Sequence, residues 1–221
     1  MLFEWINRGT VPIYPMKKPK SGQVRIACSG DSITYGYGVE NWRKNNYPAV
    51  LGTLLGNGCC VNNFGVPGST AHSGGDRPYV KERVFQKSLA FCPDVVILML
   101  GTNDSKPFNW KGQAVYREEL RKILQAYKAL PSVSSILLLA PPPAWGDPVA
   151  FDIQADVLKD EIRPVVQTLA KDEKAQFLDL HSVFKGCPEK FWDGVHPNAA
   201  GAKMLAKTIC QAIAKEGNVW L

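Results

Sequence analysis

The sequence is poor in histidine and lacks the features of several protein classes. It contains three histidines among 221 residues, so few side chains are available as a neutral-pH base. No apolar run is long enough to span a bilayer. The start of the chain carries Glu4 within a very short apolar run and so lacks the apolar core of a signal peptide. We therefore expect no membrane partner, and a cytoplasmic protein unless a leader has been removed.

The cysteines do not form a recognisable pattern. Their number is even, but their spacing matches neither a disulfide framework nor paired zinc-ligand motifs. They are Cys28, Cys59, Cys60, Cys92, Cys187 and Cys210. We therefore expect free, buried thiols and no metal site.

Charge and composition bear on the class of partner and on the number of domains. The formal net charge of +6 is spread along the chain, without the basic stripe and interleaved aromatics or the recognisable module of a nucleic-acid-binding protein, so we expect no nucleic-acid partner. No shift in composition marks a second domain. The sequence predicts an irregular arm at 1–22, where Pro12, Pro15 and Pro19 oppose regular pairing, followed by a single domain at 23–221. It does not predict the oligomeric state.

Apolar segments typical of strands alternate with segments typical of helices. The predicted strands are 24–28, 59–64, 94–100, 135–140 and 175–180, and the predicted helices are 47–55, 80–89, 113–130, 153–169 and 198–214. This alternation favours an α/β fold with right-handed crossovers. We predict a flavodoxin-like three-layer α/β/α sandwich with a five-stranded parallel sheet in the order 2-1-3-4-5.

Two predicted helices carry specific features. The helix at 113–130 has apolar residues at helical spacing, namely Val115, Leu120, Ile123, Leu124 and Tyr127. The helix at 153–169 contains Pro164, which cannot donate a backbone hydrogen bond and predicts a kink.

A serine follows the first predicted strand in the segment Gly30-Asp31-Ser32. A sharp turn at a strand end would hold Ser32 at the carboxyl edge of the sheet, near a helix N-terminus, where a nucleophile is well placed. Serine is also common in turns and at helix caps, so the position alone does not establish catalysis. Thr34 occupies the second glycine position of the G-x-S-x-G pattern, which argues against an ordinary α/β-hydrolase.

A serine nucleophile needs a base that takes its proton. In this sequence that base must be His72, His181 or His196. Asp193 lies three residues before His196, across a glycine, so its carboxylate can fold back onto the Nδ1–H and leave Nε2 free for Ser32. The alternative is a helix-entry loop in which the aspartate supports the turn and the histidine is exposed.

Oxyanion donors can come from three loops that follow strands. Gly68 can present a backbone N–H, Asn103 a side-chain amide and Ser32 its own N–H. Each position also has a structural explanation, because Gly68 is typical of a turn and Asn103 of an Asx-turn.

Four ordered motifs together resemble the SGNH (GDSL-type) hydrolase family. They are Gly30-Asp31-Ser32, the segment 65–68, Gly101-Thr102-Asn103-Asp104 and Asp193-x-x-His196. The resemblance implies a nucleophile at Ser32, triad partners at Asp193 and His196, and oxyanion donors at Gly68, Asn103 and the Ser32 N–H. Ile33 stands where the family pattern has leucine.

Asp31 and Asp104 remain without a catalytic role. Together with Asp193 they could form a carboxylate site for a divalent metal, but no D-x-D spacing supports one. We expect them to anchor loop N–H groups instead, and we expect no cofactor.

Aromatic residues are frequent in the segments that follow the strands. We predict a pocket rim at Tyr35, Trp110, Trp145 and Trp192, with Trp42 and Tyr37 nearby; rings of this kind suit sugars, although each could instead cover the core. The run from Gly101 to Trp110 is similar to bacterial O-acetylesterases that act on sialic acid and xylan. The sequence thus predicts an esterase that takes small acetyl esters, with acetylated sugars as substrates. A broad short-chain esterase or lipase, a thioesterase and a non-catalytic carbohydrate-binding module are the alternatives.

Overall fold

A computed structural model describes residues 14–147 and 149–215. Within the predicted arm, residues 14–22 form no helix or strand. Tyr14 packs edge-on against Tyr35 and Trp42, and the Lys17 N–H donates to Asn62 Oδ1 at 2.8 Å. The expectations that concern Glu4 and Pro12 lie outside the described residues.

The centre of the fold is a five-stranded parallel sheet in the order β2-β1-β3-β4-β5. Its strands are β1 (Val24–Gly30), β2 (Cys59–Gly65), β3 (Val95–Met99), β4 (Ser135–Ala140) and β5 (Gln176–Asp179). Each predicted strand is present to within a few residues of its expected bounds. The predicted fold class and strand order are confirmed.

Helices cover both faces of the sheet. They are α1 (Ser32–Tyr35), α2 (Trp42–Asn45), α3 (Tyr47–Leu55), α4 (Arg83–Ala90), α5 (Gln113–Lys128), α6 (Arg163–Asp172), α7 (Leu180–Val183) and α8 (Ala199–Lys215). Within the part of the chain that the structure describes, none of these helices is both long and apolar enough to cross a membrane.

Strand β3 shows how the core is divided. Its side chains alternate between the two faces, as strand geometry requires, and both faces are buried. Val95, Ile97 and Met99 pack with α3 and α8 on one face, whereas Val96 and Leu98 pack with α4, α5 and α6 on the other. Burial on both sides explains why β3 is an uninterrupted apolar run.

Helix α5 differs from its predicted pattern at one position. Val115 is 38% exposed, whereas its neighbour Tyr116 is 2% exposed. The Tyr116 hydroxyl donates to the carbonyl of Leu100 at 2.9 Å, so a buried polar tip is satisfied and the apolar face starts one residue later than predicted.

The helix predicted to bend at Pro164 is irregular before that residue. A π-helical segment, Val157–Ile162, leads into α6. Proline at the second position of α6 has no N–H to donate, and the wider turn precedes it.

The six cysteines are free, as expected. Burial is only partly as expected, because Cys28, Cys59 and Cys60 are buried but Cys92 is exposed. Cys92 follows α4 in a left-handed conformation with φ of 48°.

Candidate active site

Ser32 lies where β1 ends, at the carboxyl edge of the sheet. It is the first residue of α1, and Asp31 caps that short helix by accepting from the Ile33 N–H at 2.9 Å. The Ser32 carbonyl accepts from Gly36 and Tyr37, which closes the turn tightly. Ser32 is 5% exposed, so only a small part of its surface faces the adjoining cavity.

Ser32, His196 and Asp193 form a continuous hydrogen-bonded chain. His196 Nε2 is 2.8 Å from Ser32 Oγ, and His196 Nδ1 is 2.7 Å from Asp193 Oδ2. The other carboxylate oxygen of Asp193 accepts from the backbone N–H groups of Val195 and His196, at 2.9 and 2.7 Å. Asp193 therefore contacts the imidazole and also braces the turn, whereas His196 is only 5% exposed and does not match the alternative in which the histidine is exposed.

The hydrogen bonds to Asp193 determine its ionisation. Burial by itself would raise the pKa of this carboxyl group, but the His196 ring and the backbone N–H groups of His196 and Val195 hold the pKa below its ordinary value. The carboxylate is therefore ionised at neutral pH. An ionised Asp193 favours the tautomer of His196 that carries its proton on Nδ1.

Three aromatic rings surround the His196 imidazole. Tyr37 lies edge-on with its centroid at 4.7 Å, Phe151 edge-on at 5.2 Å, and Trp192 stacked at 6.2 Å. His196 is 5% exposed. This packing keeps bulk water from most of the imidazole.

Gly68 and Asn103 line the same cavity as Ser32 and His196. Gly68 has a φ of +83° in the loop after β2, a conformation that a larger residue would adopt only with strain. Asn103 follows β3, and its Nδ2 donates to the Ser69 carbonyl at 3.1 Å. An amide nitrogen carries two hydrogens, so the second can be directed into the cavity.

Asp104 and Asp31 hold the surrounding loops. Asp104 accepts from the backbone N–H groups of Ala71 and His72, at 3.0 and 2.8 Å. Burial raises the pKa of Asp104 to about 7 and that of Asp31 to about 6. Among the described residues, no three His, Cys, Asp or Glu side chains are grouped so that they could hold a metal ion.

The other two histidines lie apart from this chain of hydrogen bonds. The His72 backbone is held by Asp104. His181 lies in α7 and lines a separate cavity of about 220 Å³. The structure thus brings one of the three candidate histidines to Ser32.

The structure corrects the predicted aromatic rim. Tyr35 is 3% exposed and stacks on Trp42 at 5.3 Å. Trp110 packs against Tyr116 and the core, and Trp145 packs against Phe191 beside the second cavity. These three rings cover the core where loops cross the sheet, so they do not line the cavity at Ser32. Trp192 is 44% exposed and stacks on His196, but it is not among the described lining residues.

The cavity holds about 420 Å³ and is lined by both apolar and charged side chains. Tyr37, Phe151 and Ile153 contribute apolar surface, and Asp76, Arg77 and Lys106 contribute charge. Tyr37 was expected near the rim, whereas the other five residues were not expected to line the pocket. Asp76, Arg77 and Lys106 lie in the loops after β2 and β3, and this placement could have indicated that they line the pocket. No local pattern indicates Phe151.

The charges that line the cavity are paired. Lys106 Nζ is 3.7 Å from Asp76 Oδ2, and Arg77 Nε is 2.7 Å from Glu82 Oε1. Arg77 also donates from Nη1 to the Pro67 carbonyl at 3.0 Å. Each cation within the described lining of the cavity is therefore matched by a carboxylate.

The chain is similar in sequence to known hydrolases. The sequence profile of the GDSL-like lipase/acylhydrolase family matches residues 28–204. An acetylxylan esterase of Xylanibacter ruminicola is 39% identical over 213 residues, covering 88% of this chain and 44% of the relative. The chain thus spans less than half the length of that protein.

Two further proteins cover nearly the whole chain. An acetylxylan esterase of Geobacillus stearothermophilus is 28% identical over 211 residues, covering 88% of this chain and 89% of its own. Among solved structures, the carbohydrate acetylesterase Est24 of Sinorhizobium meliloti superposes with a TM-score of 0.69 at 20% identity, covering 88% of this chain and 100% of that one. The latter similarity establishes a shared fold.

Proposed function

The chain belongs to the GDSL-like lipase/acylhydrolase family, and we propose that it is a serine esterase that removes acetyl groups from carbohydrates. The observation that carries the proposal is the hydrogen-bonded chain from Ser32 through His196 to Asp193, with distances of 2.8 and 2.7 Å. These distances lie within the range that proton transfer to and from a nucleophile requires.

In the proposed reaction, Ser32 Oγ attacks the carbonyl carbon of the ester. Its proton passes to His196 Nε2, and the ionised Asp193 stabilises the resulting imidazolium through Nδ1–H. Because Asp193 Oδ2 already lies 2.7 Å from His196 Nδ1, neither side chain has to move for this step. Tyr37, Trp192 and the bond to Asp193 keep the imidazole in the same plane throughout.

The tetrahedral intermediate carries a negative charge on the former carbonyl oxygen. We assign its donors to the backbone N–H groups of Ser32 and Gly68 and to Nδ2 of Asn103. The bond from Asn103 to the Ser69 carbonyl fixes the amide plane before the substrate arrives, so little reorganisation is needed as the charge develops.

His196 then acts as the acid. It returns the proton to the alcohol oxygen, the C–O bond breaks, and an acetyl group remains on Ser32. A water molecule, deprotonated by His196, attacks the carbonyl carbon of this acyl-enzyme and forms a second tetrahedral intermediate. The bond from that carbon to Ser32 Oγ then breaks, Oγ takes the proton back from His196, and acetate is released.

The cavity supports a small acyl group on a neutral sugar. A volume of about 420 Å³ must hold both the acyl group and the alcohol, which favours acetyl over a long chain. The cations beside it already face Asp76 and Glu82, so the carboxylate of an acidic sugar would find no uncompensated partner. The two relatives named acetylxylan esterases support the same substrate class.

An activity panel tests the proposal. Hydrolysis of p-nitrophenyl acetate, butyrate and octanoate should fall with chain length, and acetylated xylo-oligosaccharides should be better substrates than O-acetylated sialic acid. If the protein hydrolyses aryl acetates but no acetylated sugar, it is an esterase of another specificity. Turnover of no ester would favour the binding-module alternative.

Replacement of Ser32 tests whether this residue is the nucleophile. Ser32→Ala should abolish turnover and labelling by a fluorophosphonate while leaving the melting temperature nearly unchanged, because it removes one small hydroxyl group. Ser134→Ala is the control, since Ser134 is exposed and bonds only to the Asp94 carbonyl among its described contacts. Labelling that persists in Ser32→Ala would assign the nucleophile elsewhere.

We also propose that residues 23–221 form one domain. The described part of this range shares a single sheet with a core on each face. A version that starts at residue 23 should therefore unfold in one cooperative transition, monitored by calorimetry. Two separate transitions would contradict a single domain.

A further inference from the structure

Phe151 is an exposed aromatic residue beside the catalytic cavity. Its side chain lines the cavity and the residue is 44% exposed. Its ring lies 5.2 Å from the His196 ring and 6.5 Å from the Tyr37 ring, edge-on to both. A phenyl ring that contacts the base and still keeps a large open surface is available to a ligand in the cavity.

The backbone at this position is strained. Phe151 and Asp152 both have left-handed φ values, 61° and 57°, within the short 3-10 turn Ala150–Asp152. Left-handed conformations are unfavourable for residues with a side chain, and two in succession are maintained only where the surroundings or a function require them. The turn places an apolar ring at the cavity instead of burying it in the core.

The chemistry of ester cleavage locates the leaving alcohol on the same side of the cavity. This step rests on the proposed function, in which His196 protonates the alcohol oxygen as the C–O bond breaks. That oxygen must lie within hydrogen-bond reach of Nε2, so the rest of the alcohol must pass close to the His196 ring. The oxyanion points instead toward Gly68 and Asn103.

We propose that Phe151 is the binding platform for the leaving alcohol, against whose ring one face of a neutral pyranose stacks. The C–H groups on the face of a sugar ring are apolar, and they pack well against an aromatic ring. Asp76 and Lys106, which also line the cavity, then offer acceptors and donors to hydroxyl groups of the sugar.

Phe151 is not needed to hold the imidazole. Tyr37 and Trp192 contact the His196 ring at 4.7 and 6.2 Å, and Asp193 fixes Nδ1. Loss of the Phe151 ring should therefore affect binding of the alcohol more than the proton transfers. This difference separates a platform from a support for His196.

The experiment compares three acetate esters on the parent enzyme, Phe151→Ala and Phe151→Trp. The esters are an acetylated methyl xyloside, phenyl acetate and ethyl acetate, whose alcohol has no ring. Phe151→Ala should lower kcat/KM about three- to tenfold for the two ring-bearing esters and less than twofold for ethyl acetate. Phe151→Trp, which retains a flat ring, should recover most of the loss.

Phe108→Ala is the matched control. Phe108 is also an exposed phenylalanine, at 69%, but its ring lies beneath Lys111 and outside the described lining of the cavity. All three esters should be hydrolysed by this variant as by the parent. An equal loss for all three esters in Phe151→Ala, or no loss, would overturn the proposal.

The panel also separates this proposal from the proposed function. A parent enzyme that cleaves phenyl acetate and ethyl acetate but not the acetylated xyloside would contradict the carbohydrate substrate. The loss of kcat/KM in Phe151→Ala, compared between phenyl acetate and ethyl acetate, would still decide whether Phe151 binds a ring.

Discussion

At the scale of single residues, Asp193 has two tasks that one substitution can separate. One oxygen accepts from two backbone N–H groups and the other faces His196 Nδ1. In Asp193→Asn, the remaining oxygen can keep the backbone bonds, while the new NH₂ group opposes Nδ1–H and favours the wrong tautomer. We expect kcat to fall by about 10³–10⁴, with little change in melting temperature.

Measurement of both quantities on one preparation tests this assignment. Asp179→Asn is a suitable comparison, because Asp179 binds Arg163 and caps α7 through Ser182. It should lower the melting temperature and leave kcat near the parent value. Near-normal turnover in Asp193→Asn would remove Asp193 from the proposed triad.

At the scale of structural elements, the loop that carries Asp193 and His196 is fixed by the segment after β4. The Trp145 N–H donates to the Gly194 carbonyl at 2.9 Å. Gly194 has a φ of +81°, and a Cβ there would lie 2.1 Å from the Trp145 carbonyl oxygen. Trp145, predicted at the pocket rim, thus contacts the site through its backbone.

Gly194→Ala should therefore displace the loop that carries Asp193 and His196. We expect a loss of stability of about 2–4 kcal/mol and a large loss of kcat, since the strained φ and the contact with Trp145 act together. Gly186→Ala is the matched control, because Gly186 has a φ of +75° with open space around it. It should cost about 1 kcal/mol and leave kcat unchanged. Equal effects of the two changes, measured by urea unfolding and kcat, would mean that the contact with Trp145 is unimportant.

At the scale of the whole molecule, buried carboxyl groups make stability depend on pH. Burial raises the pKa of Asp31 to about 6, from 3.8. The folded state therefore binds more protons than the unfolded state between these values, and the corresponding share of stability is lost as the pH rises through 6. Asp104, with a pKa raised to about 7, acts in the same direction.

Asp31→Asn should remove part of this dependence. Its amide oxygen can still accept from the Ile33 N–H, which preserves the cap. Relative to the parent, the variant should gain about 2 kcal/mol of stability between pH 4 and pH 8. Urea unfolding at several pH values measures the difference. A constant difference across this range would mean that Asp31 is ionised throughout in the folded protein.

The sequence by itself determined the architecture, and it indicated the residues proposed here for catalysis. Alternating apolar segments and glycine-rich breaks predicted the five strands, because periodicity and strand-end turns are local properties. Their order was predicted from the regular alternation of strands and helices, which is typical of a flavodoxin-like sheet. Asp193 and His196 are three residues apart, so their contact could also be predicted locally. The burial pattern of α5 was misplaced by one residue, at Val115 and Tyr116, because the bond of Tyr116 to Leu100 is a tertiary contact.

Only the tertiary structure decided which side chains form the walls of the cavity. Tyr35, Trp110 and Trp145 follow strands as the lining residues do, yet their rings pack inward. Phe151 reaches the cavity because two successive left-handed residues turn its loop toward His196. The direction of a loop side chain depends on contacts between distant segments, and no local periodicity records those contacts.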